Sequence, residues 1–507
     1  MMHTIPSTIT MLALIVVASA CTTPPTPQPP TTPTPPAPTA PTWPQEAFRT
    51  SQPKAGPEPE VTIPKVEPFL LDNGIKVYLV EDHDLPTVTM RLRLNVGAMH
   101  DPARKEGLNN LTMELLDQGP KGVTKVAYET RKADLGARIN FAGGTHTSSL
   151  TIRTLKRQLG PTLDLALEAL LKPGLRKEDF ARVQKRRLAS LSQQLASPGS
   201  IAGRLYTSLL YGAKHPYSKL ATETSLKRLN VRDCSTFARK LSPAGAELFV
   251  VGDITAEEVK STWNPRTTKW KARGKLAKKI IPEAKPRPGT IFFVDVPGAV
   301  QSQIMVGHPG PKRQDDDYIA NLMMAQILGG SFSSRINMNL REKNGFSYGA
   351  RAGFSYMRTS GYFSARSSVK AETTGPALRE VAKEIELMRT SAPSDEELTR
   401  EIRGHVLSMP AWFATNDGVL NTFANLAFFG LPLGYFEGYQ AKVMAVDKET
   451  VFTAAKDKLR NTGFTVLVVG DANTVLSDLE AIAQEGLFGP KDAKVIHLDP
   501  NGQPIKR

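Results

Sequence analysis

Cysteine is nearly missing from this chain: 507 residues contain two, Cys21 and Cys234. The first falls in an apparent export leader, so the folded part has no second thiol for Cys234 and no intrachain disulfide there. Cys234 reads instead as a small buried apolar residue. Closely spaced histidines are also missing. The eight stand at 3, 83, 100, 146, 215, 308, 405 and 497, so no two share a helix turn and no metal site can be built from an i, i+4 His pair. Long apolar runs are missing too. Met11 to Ala20 is shorter than the roughly 20 residues a membrane-spanning helix needs. The net charge of +15 raises the question of nucleic acid or membrane binding. No nucleic-acid motif accompanies it, the Lys and Arg are spread along the chain, and their densest cluster, Lys269 to Arg287, falls between two predicted halves, so no nucleic-acid partner is expected.

What is present begins with that short apolar run, which has the length of a secretion signal core. It ends Ala18-Ser19-Ala20 and is followed by Cys21, a pattern that resembles the lipobox of bacterial lipoproteins. The expectation is export to the cell envelope, facing the periplasm, with a lipid anchor on Cys21. From Thr22 to Pro64 the chain is rich in Pro and Thr and too poor in apolar area to fold. It reads as a tether with a maximal reach on the order of 100 Å in polyproline geometry. The remaining length suffices for two or three full cores, and the composition, 40% hydrophobic and 22% charged, is that of an ordinary globular protein.

The folded part carries an internal duplication. One half ends Leu248-Phe249-Val250-Val251-Gly252-Asp253, and the other ends Val466-Leu467-Val468-Val469-Gly470-Asp471. Acid-rich helix starts, Lys177-Glu178-Asp179-Phe180 and Ser394-Asp395-Glu396-Glu397-Leu398, recur at corresponding places. Strand, Asp72-Asn73-Gly74 turn and strand are expected over Leu70 to Val80, and an alternating strand over Thr87 to Val96. Apolar residues at 108, 111 and 115 give a helix over Leu108 to Leu116, and Gly143-Gly144 joins a hairpin of Ala137–Phe141 and Ser148–Leu155. The predicted class is α+β: two homologous halves, each a mainly antiparallel sheet with helices packed on one face. The expected layout is a signal over 1–21, a tether over 22–64, halves over 65–275 and 290–490 joined by a linker at 276–289, and a tail over 491–507.

The most specific stretch runs from Leu328 to Tyr348: Leu-Gly-Gly-Ser-Phe-Ser-Ser-Arg-Ile-Asn-Met-Asn-Leu-Arg-Glu-Lys-Asn-Gly-Phe-Ser-Tyr. It resembles the C-terminal-half signature of the insulinase/pitrilysin zinc metallopeptidases, the family that includes the mitochondrial processing peptidases. The resemblance covers about 66 to 490. It implies that Arg341 and Tyr348 face a bound peptide, the Arg through a rigid five-donor fork and the Tyr through one hydroxyl. A helix end, a stop at Gly345 and a strand start between them allow the two side chains to converge. Around them, Leu340, Phe346 and Phe332 read as core, and Arg335 with Glu342 as an ion pair.

Active members of that family bind zinc through His-x-x-Glu-His on a helix that opens Gly-Leu. Here the helix reads Gly107-Leu108-Asn109-Asn110-Leu111-Thr112-Met113-Glu114. The two His positions hold Asn110 and Glu114, and the general base is Met113. The helix expected to supply the third ligand, Phe180 to Leu195, has no carboxylate. The resemblance therefore implies no metal and no catalytic residue in this chain, and a zinc-carrying homologous subunit as its partner. On this reading the chain is an exported, lipid-anchored, non-catalytic subunit of a heteromeric metallopeptidase. It would bind peptide substrate and complete the chamber of a heterodimer through Arg341 and Tyr348. The alternative is an envelope scaffold that keeps the fold without a part in proteolysis. A further expectation is that Ser148–Leu155 forms an edge strand to which a substrate strand could add, with an internal hairpin as the other possibility.

Overall fold

The computed structural model describes residues 56, 60–272, 281–285, 287–491 and 493–505. The leader, Cys21, nearly all of the tether and most of the linker lie outside the described residues. Glu58–Arg507 forms one unit, so the two predicted halves are parts of a single body. Among the described residues no helix is long and apolar enough to cross a membrane.

The first half is built on β1 (Glu67–Leu70), β2 (Lys76–Glu81), β3 (Thr87–Leu94), β4 (Arg138–Gly143), β5 (Ser148–Leu155) and β6 (Glu247–Gly252), in the spatial order β1-β2-β6-β3-β5-β4. Only the β2–β6 pair is parallel. Strict alternation decides the faces. In β3, Val88, Met90, Leu92 and Leu94 are buried in the first core, while Thr89, Arg91 and Arg93 point the other way. Three helices matter for function: α1 (Leu108–Leu116), α2 (Lys177–Gln194) and α3 (Pro198–Tyr211).

The second half repeats this plan with β7 (Ile291–Asp295), β8 (Gln301–Gly310), β9 (Ser347–Tyr356), β10 (Gly361–Lys370), β11 (Thr465–Gly470) and β12 (Val495–Leu498), in the order β12-β7-β11-β8-β10-β9. Five strands correspond one to one, β2-β6-β3-β5-β4 with β7-β11-β8-β10-β9, and the parallel pair recurs as β7–β11. The sixth strand differs. It is an N-terminal hairpin strand in one half and the C-terminal β12 in the other, so residues expected as a tail complete a sheet. The helices used below are α4 (Tyr318–Ala325), α5 (Asp395–Phe413) and α6 (Asn416–Phe429).

Each sheet buries one face under helices of its own half, forming two separate cores. The other face is covered by a helix from the opposite half. Ile201, Leu205, Tyr206 and Leu210 of α3 pack on Phe292, Val294, Met305 and Leu467 of the second sheet. Val419, Leu420 and Phe423 of α6 pack on Tyr78, Val80, Phe249 and Val251 of the first. The exchange is seated closely. A Cβ on Gly307 would lie 2.5 Å from the Tyr206 hydroxyl, which donates to the Thr465 carbonyl at 3.1 Å. The prediction of helices on one face of each sheet is thus met only within each half.

Two buried imidazoles make the fold sensitive to acid. His308 donates from Nδ1 to the Pro309 carbonyl and accepts the Arg460 N–H at Nε2, so it sits neutral against Phe363. Burial pushes it down to about 4, and burial does the same to His146. A depressed imidazole stabilises the fold above its unfolded pKa near 6.5, and that stability is lost as pH falls toward 4. Asp101 acts in the opposite sense. Its carboxyl is raised by burial to about 6, so it favours the fold most at low pH and loses that contribution as pH rises from about 4 to 6. Two terms outweigh one. We expect the unfolding free energy to fall by on the order of 2 kcal/mol between pH 7 and pH 5. Urea titrations at the two pH values check this, and equal midpoints would refute it.

Candidate functional site

Asp101 prepares the helix on which a metal site would stand. Its carboxylate accepts the N–H groups of Gly107 and Asn109, both at 2.9 Å, and so satisfies donors left open at the start of α1. The side chain of Asn109 is held by Gly144 and Ser148. Asn110 lies against the end of β4, where a Cβ on Gly143 would come within 2.5 Å of its Oδ1. Met113 is wholly buried in the first core.

Glu114 is held in an ion-pair cluster. It pairs with Arg186 at 3.0 Å and with Arg187, both on α2. The helix expected to bring a third acidic ligand therefore brings two guanidinium groups, beside a cavity of about 430 Å3 lined also by Asn110, Asn140 and Gln118. These residues do not fit zinc. The sole carboxylate at the three motif positions is already neutralised, the amide is a poor ligand, and the two cations repel a third. Among the described residues no group of three or more His, Cys, Asp or Glu could hold a metal ion. Cys234, at the first core, is fully buried, and burial pushes its thiol up to about 11.

Arg341 and Tyr348 sit at the outer strand of the second sheet. After α4 the chain takes π-helical turns at Gln326–Gly330 and Met338–Lys343, turns at Gly345 with φ +64°, and enters β9. The Arg341 guanidinium stacks on the Phe332 ring at 4.6 Å and pairs with Glu342 at 3.3 Å. Tyr348 is 89% exposed. The arrangement leaves a phenol, a half-exposed guanidinium and the exposed Phe332 ring open to solvent.

Several expectations near the signature need correction. Phe332 is 58% exposed rather than core, because it serves as the platform for Arg341, whereas Leu340 is fully buried. Arg335 pairs with Glu397 at 2.7 and 2.8 Å, not with Glu342. The guanidinium holds the Glu397 carboxyl down to about 2, and Glu397 also caps α5 through the Ser394 N–H. Ser148–Leu155 is not an edge strand: β5 lies between β3 and β4, and β4 is the outermost strand.

A family model described as the Peptidase M16 inactive domain matches residues 229–404, from the helix before β6 into α5. That span contains the whole signature around Arg341 and Tyr348. Over that span the chain is similar to the M16 peptidases. A Helicobacter pylori relative named as the non-peptidase homolog YmxG is 20% identical over 400 residues, 78% of this chain and 91% of the relative. A Pseudomonas fluorescens structure titled as a peptidase M16 inactive domain is 25% identical, with a TM-score of 0.74, covering 80% of this chain and 98% of that one. The periplasmic protease PqqL of Escherichia coli shares the fold, with a TM-score of 0.68 at 15% identity. It covers 82% of this chain and 47% of PqqL.

The chain is thus peptidase-like and non-catalytic. Its degenerate position holds an internal cation in protein form, two guanidinium groups on one carboxylate, which can bind an acceptor but cannot lower the pKa of a water as zinc does. Sequence reasoning missed Arg186 and Arg187. The signal was the unbroken basic run Lys185-Arg186-Arg187 on a helix facing α1, which spacing alone does not orient.

Proposed function

We propose that the chain is the non-catalytic subunit of a zinc metallopeptidase assembly in the cell envelope, held there by a lipid on Cys21. Its partner is a homologous chain that carries His-x-x-Glu-His and the zinc. The observation that carries this reading is the contrast between the two halves. The zinc position of the first is filled by Glu114, Arg186 and Arg187, while in the second Tyr348 at the start of β9 is 89% exposed and Arg341 is half-exposed. Donors kept open on an otherwise ordinary surface suit a peptide backbone presented by another subunit. The family match, the non-peptidase name of the Helicobacter relative and the periplasmic setting of PqqL support the same assignment.

The test is a mild-detergent pull-down of the tagged chain from its native envelope, followed by a chelator-sensitive peptide cleavage assay on the eluate. We expect a His-x-x-Glu-His protein to co-purify, with activity that neither chain has alone. Arg341→Ala with Tyr348→Phe should keep the complex and lower the stimulated rate about 100-fold. An inert eluate, or a rate indifferent to both substitutions, would overturn the reading in favour of a scaffold.

A further inference from the structure

The outer face of the first sheet is divided. Its β2–β6 side is apolar and sealed by α6. Its β3–β5–β4 side is polar, and the strand register sets polar side chains in rows across the three strands. Arg91 stands opposite Thr151, and Thr151 opposite Asn140. Arg93 stands opposite Ser149, and Arg153 opposite both Thr89 and Arg138. Between these rows and Asn421, Asn425 and Phe428 of α6 lies a cavity of about 610 Å3. Its size is within the roughly 300–1,000 Å3 of small-molecule sites.

The charges around this cavity do not cancel. Arg93 is matched by Glu247, and Arg153 by a bidentate pair with Asp417. Among the described residues, Arg91 is bonded to neutral groups alone: the Asn421 amide oxygen at 2.8 Å and the Thr151 hydroxyl at 3.4 Å. Burial works most strongly against its charge, Asp417 offsets part of this, and the neighbouring Arg153 and Arg93 add to the burden. A guanidinium cannot relieve this by losing its proton, and most of its five donors remain for a ligand. A half-buried cation with neutral partners and spare donors is completed by an anion.

We propose that this cavity binds a small oxyanion, a phosphate or carboxylate carried on a hydroxyl-rich body. Arg91 anchors the charge, and Asn140, Thr151 and Asn421 hydrogen-bond the hydroxyls. The site is distinct from Arg341 and Tyr348. It shares only strand β4 with the Glu114–Arg186–Arg187 cluster.

Calorimetric titration of the full chain with glucose 6-phosphate, glucuronate, inorganic phosphate and glucose tests this. We expect one or both sugar anions to bind with Kd below about 1 mM, inorganic phosphate to bind more weakly, and glucose to give no heat. Binding of one sugar anion alone identifies its charged group. Arg91→Gln should weaken binding about tenfold or more. Asn140→Asp, at an exposed position on the outer strand, should do the same by placing a carboxylate on the cavity wall, and it serves if the first variant fails to fold. No heat from either sugar anion, or unchanged affinity in a folded variant, overturns the site. Inorganic phosphate binding as tightly as glucose 6-phosphate overturns the hydroxyl-rich ligand.

Discussion

Gly329→Ala is expected to destabilise the protein by about 3 kcal/mol, the upper part of the usual range for overpacking. Gly329 is buried in the π-helical turn Gln326–Gly330, which rests on β9. A Cβ there would lie 2.2 Å from the Ala352 nitrogen, 2.4 Å from its Cβ and 2.6 Å from its Cα. These neighbours are backbone and the first side-chain atom, so no rotamer change relieves the clash. Either the turn lifts or β9 moves, and β9 is held by its register with β10, where Ala352 stands opposite Ala365. The same shift would displace Tyr348, which lies on β9. Gly404→Ala is the control. It lies in α5 with open space around the added Cβ, and alanine favours a helix over glycine by about 1 kcal/mol. Denaturant midpoints of the two variants should move in opposite directions. A Gly329→Ala protein within 1 kcal/mol of the parent would show that the turn does not depend on this close approach.

Arg93→Ala is expected to cost about 3–5 kcal/mol, the loss typical of breaking a buried pair. The Arg93 side chain is 8% exposed. Its Nε donates to Glu247 at 2.9 Å, its Nη1 donates to the Ala424 carbonyl at 2.7 Å, and its plane lies 4.9 Å from the Phe249 ring. Removal leaves Glu247 with the Tyr78 hydroxyl at 3.3 Å and leaves the Ala424 carbonyl without this donor. Because Ala424 belongs to α6, the damage reaches the contact between the halves. A double-mutant cycle with Glu247→Gln should return a coupling of at least 1 kcal/mol. A single substitution that leaves the unfolding curve in place would rule out this role.

Much of the architecture was legible in the sequence. Alternation in Thr87–Val96 and the 108, 111, 115 period gave β3 and α1 directly, because both periods report one buried face. The repeated Val-Val-Gly-Asp ends marked the duplication, and the structure extends it to five matching strands. Other features were not legible because they depend on which distant surface a residue meets. Nothing in Pro198–Tyr211 or Asn416–Phe429 says that each helix covers the other half's sheet. Phe332 looked like core because a lone Phe beside a Gly turn carries no mark of exposure. At the degenerate site, the loss of ligands at Asn110, Met113 and Glu114 could be read, but the replacement of metal by Arg186 and Arg187 could not, since it needs the angle at which α2 crosses α1. The arginines at 91 and 93 left a clear period-2 signal on the polar face of β3, and that signal marks the cavity wall.

The exchanged helices also govern how the chain must be made. Synthesis completes β6 long before it reaches α6, so Tyr78, Val80, Phe249 and Val251 wait as an open apolar sheet while most of the second half is still unmade. A ribosome stalled at the linker, or a gene cut there, would yield a fragment with a sticky face prone to aggregation. The protein therefore cannot mature half by half. That face of the first sheet stays open until Phe429 has emerged.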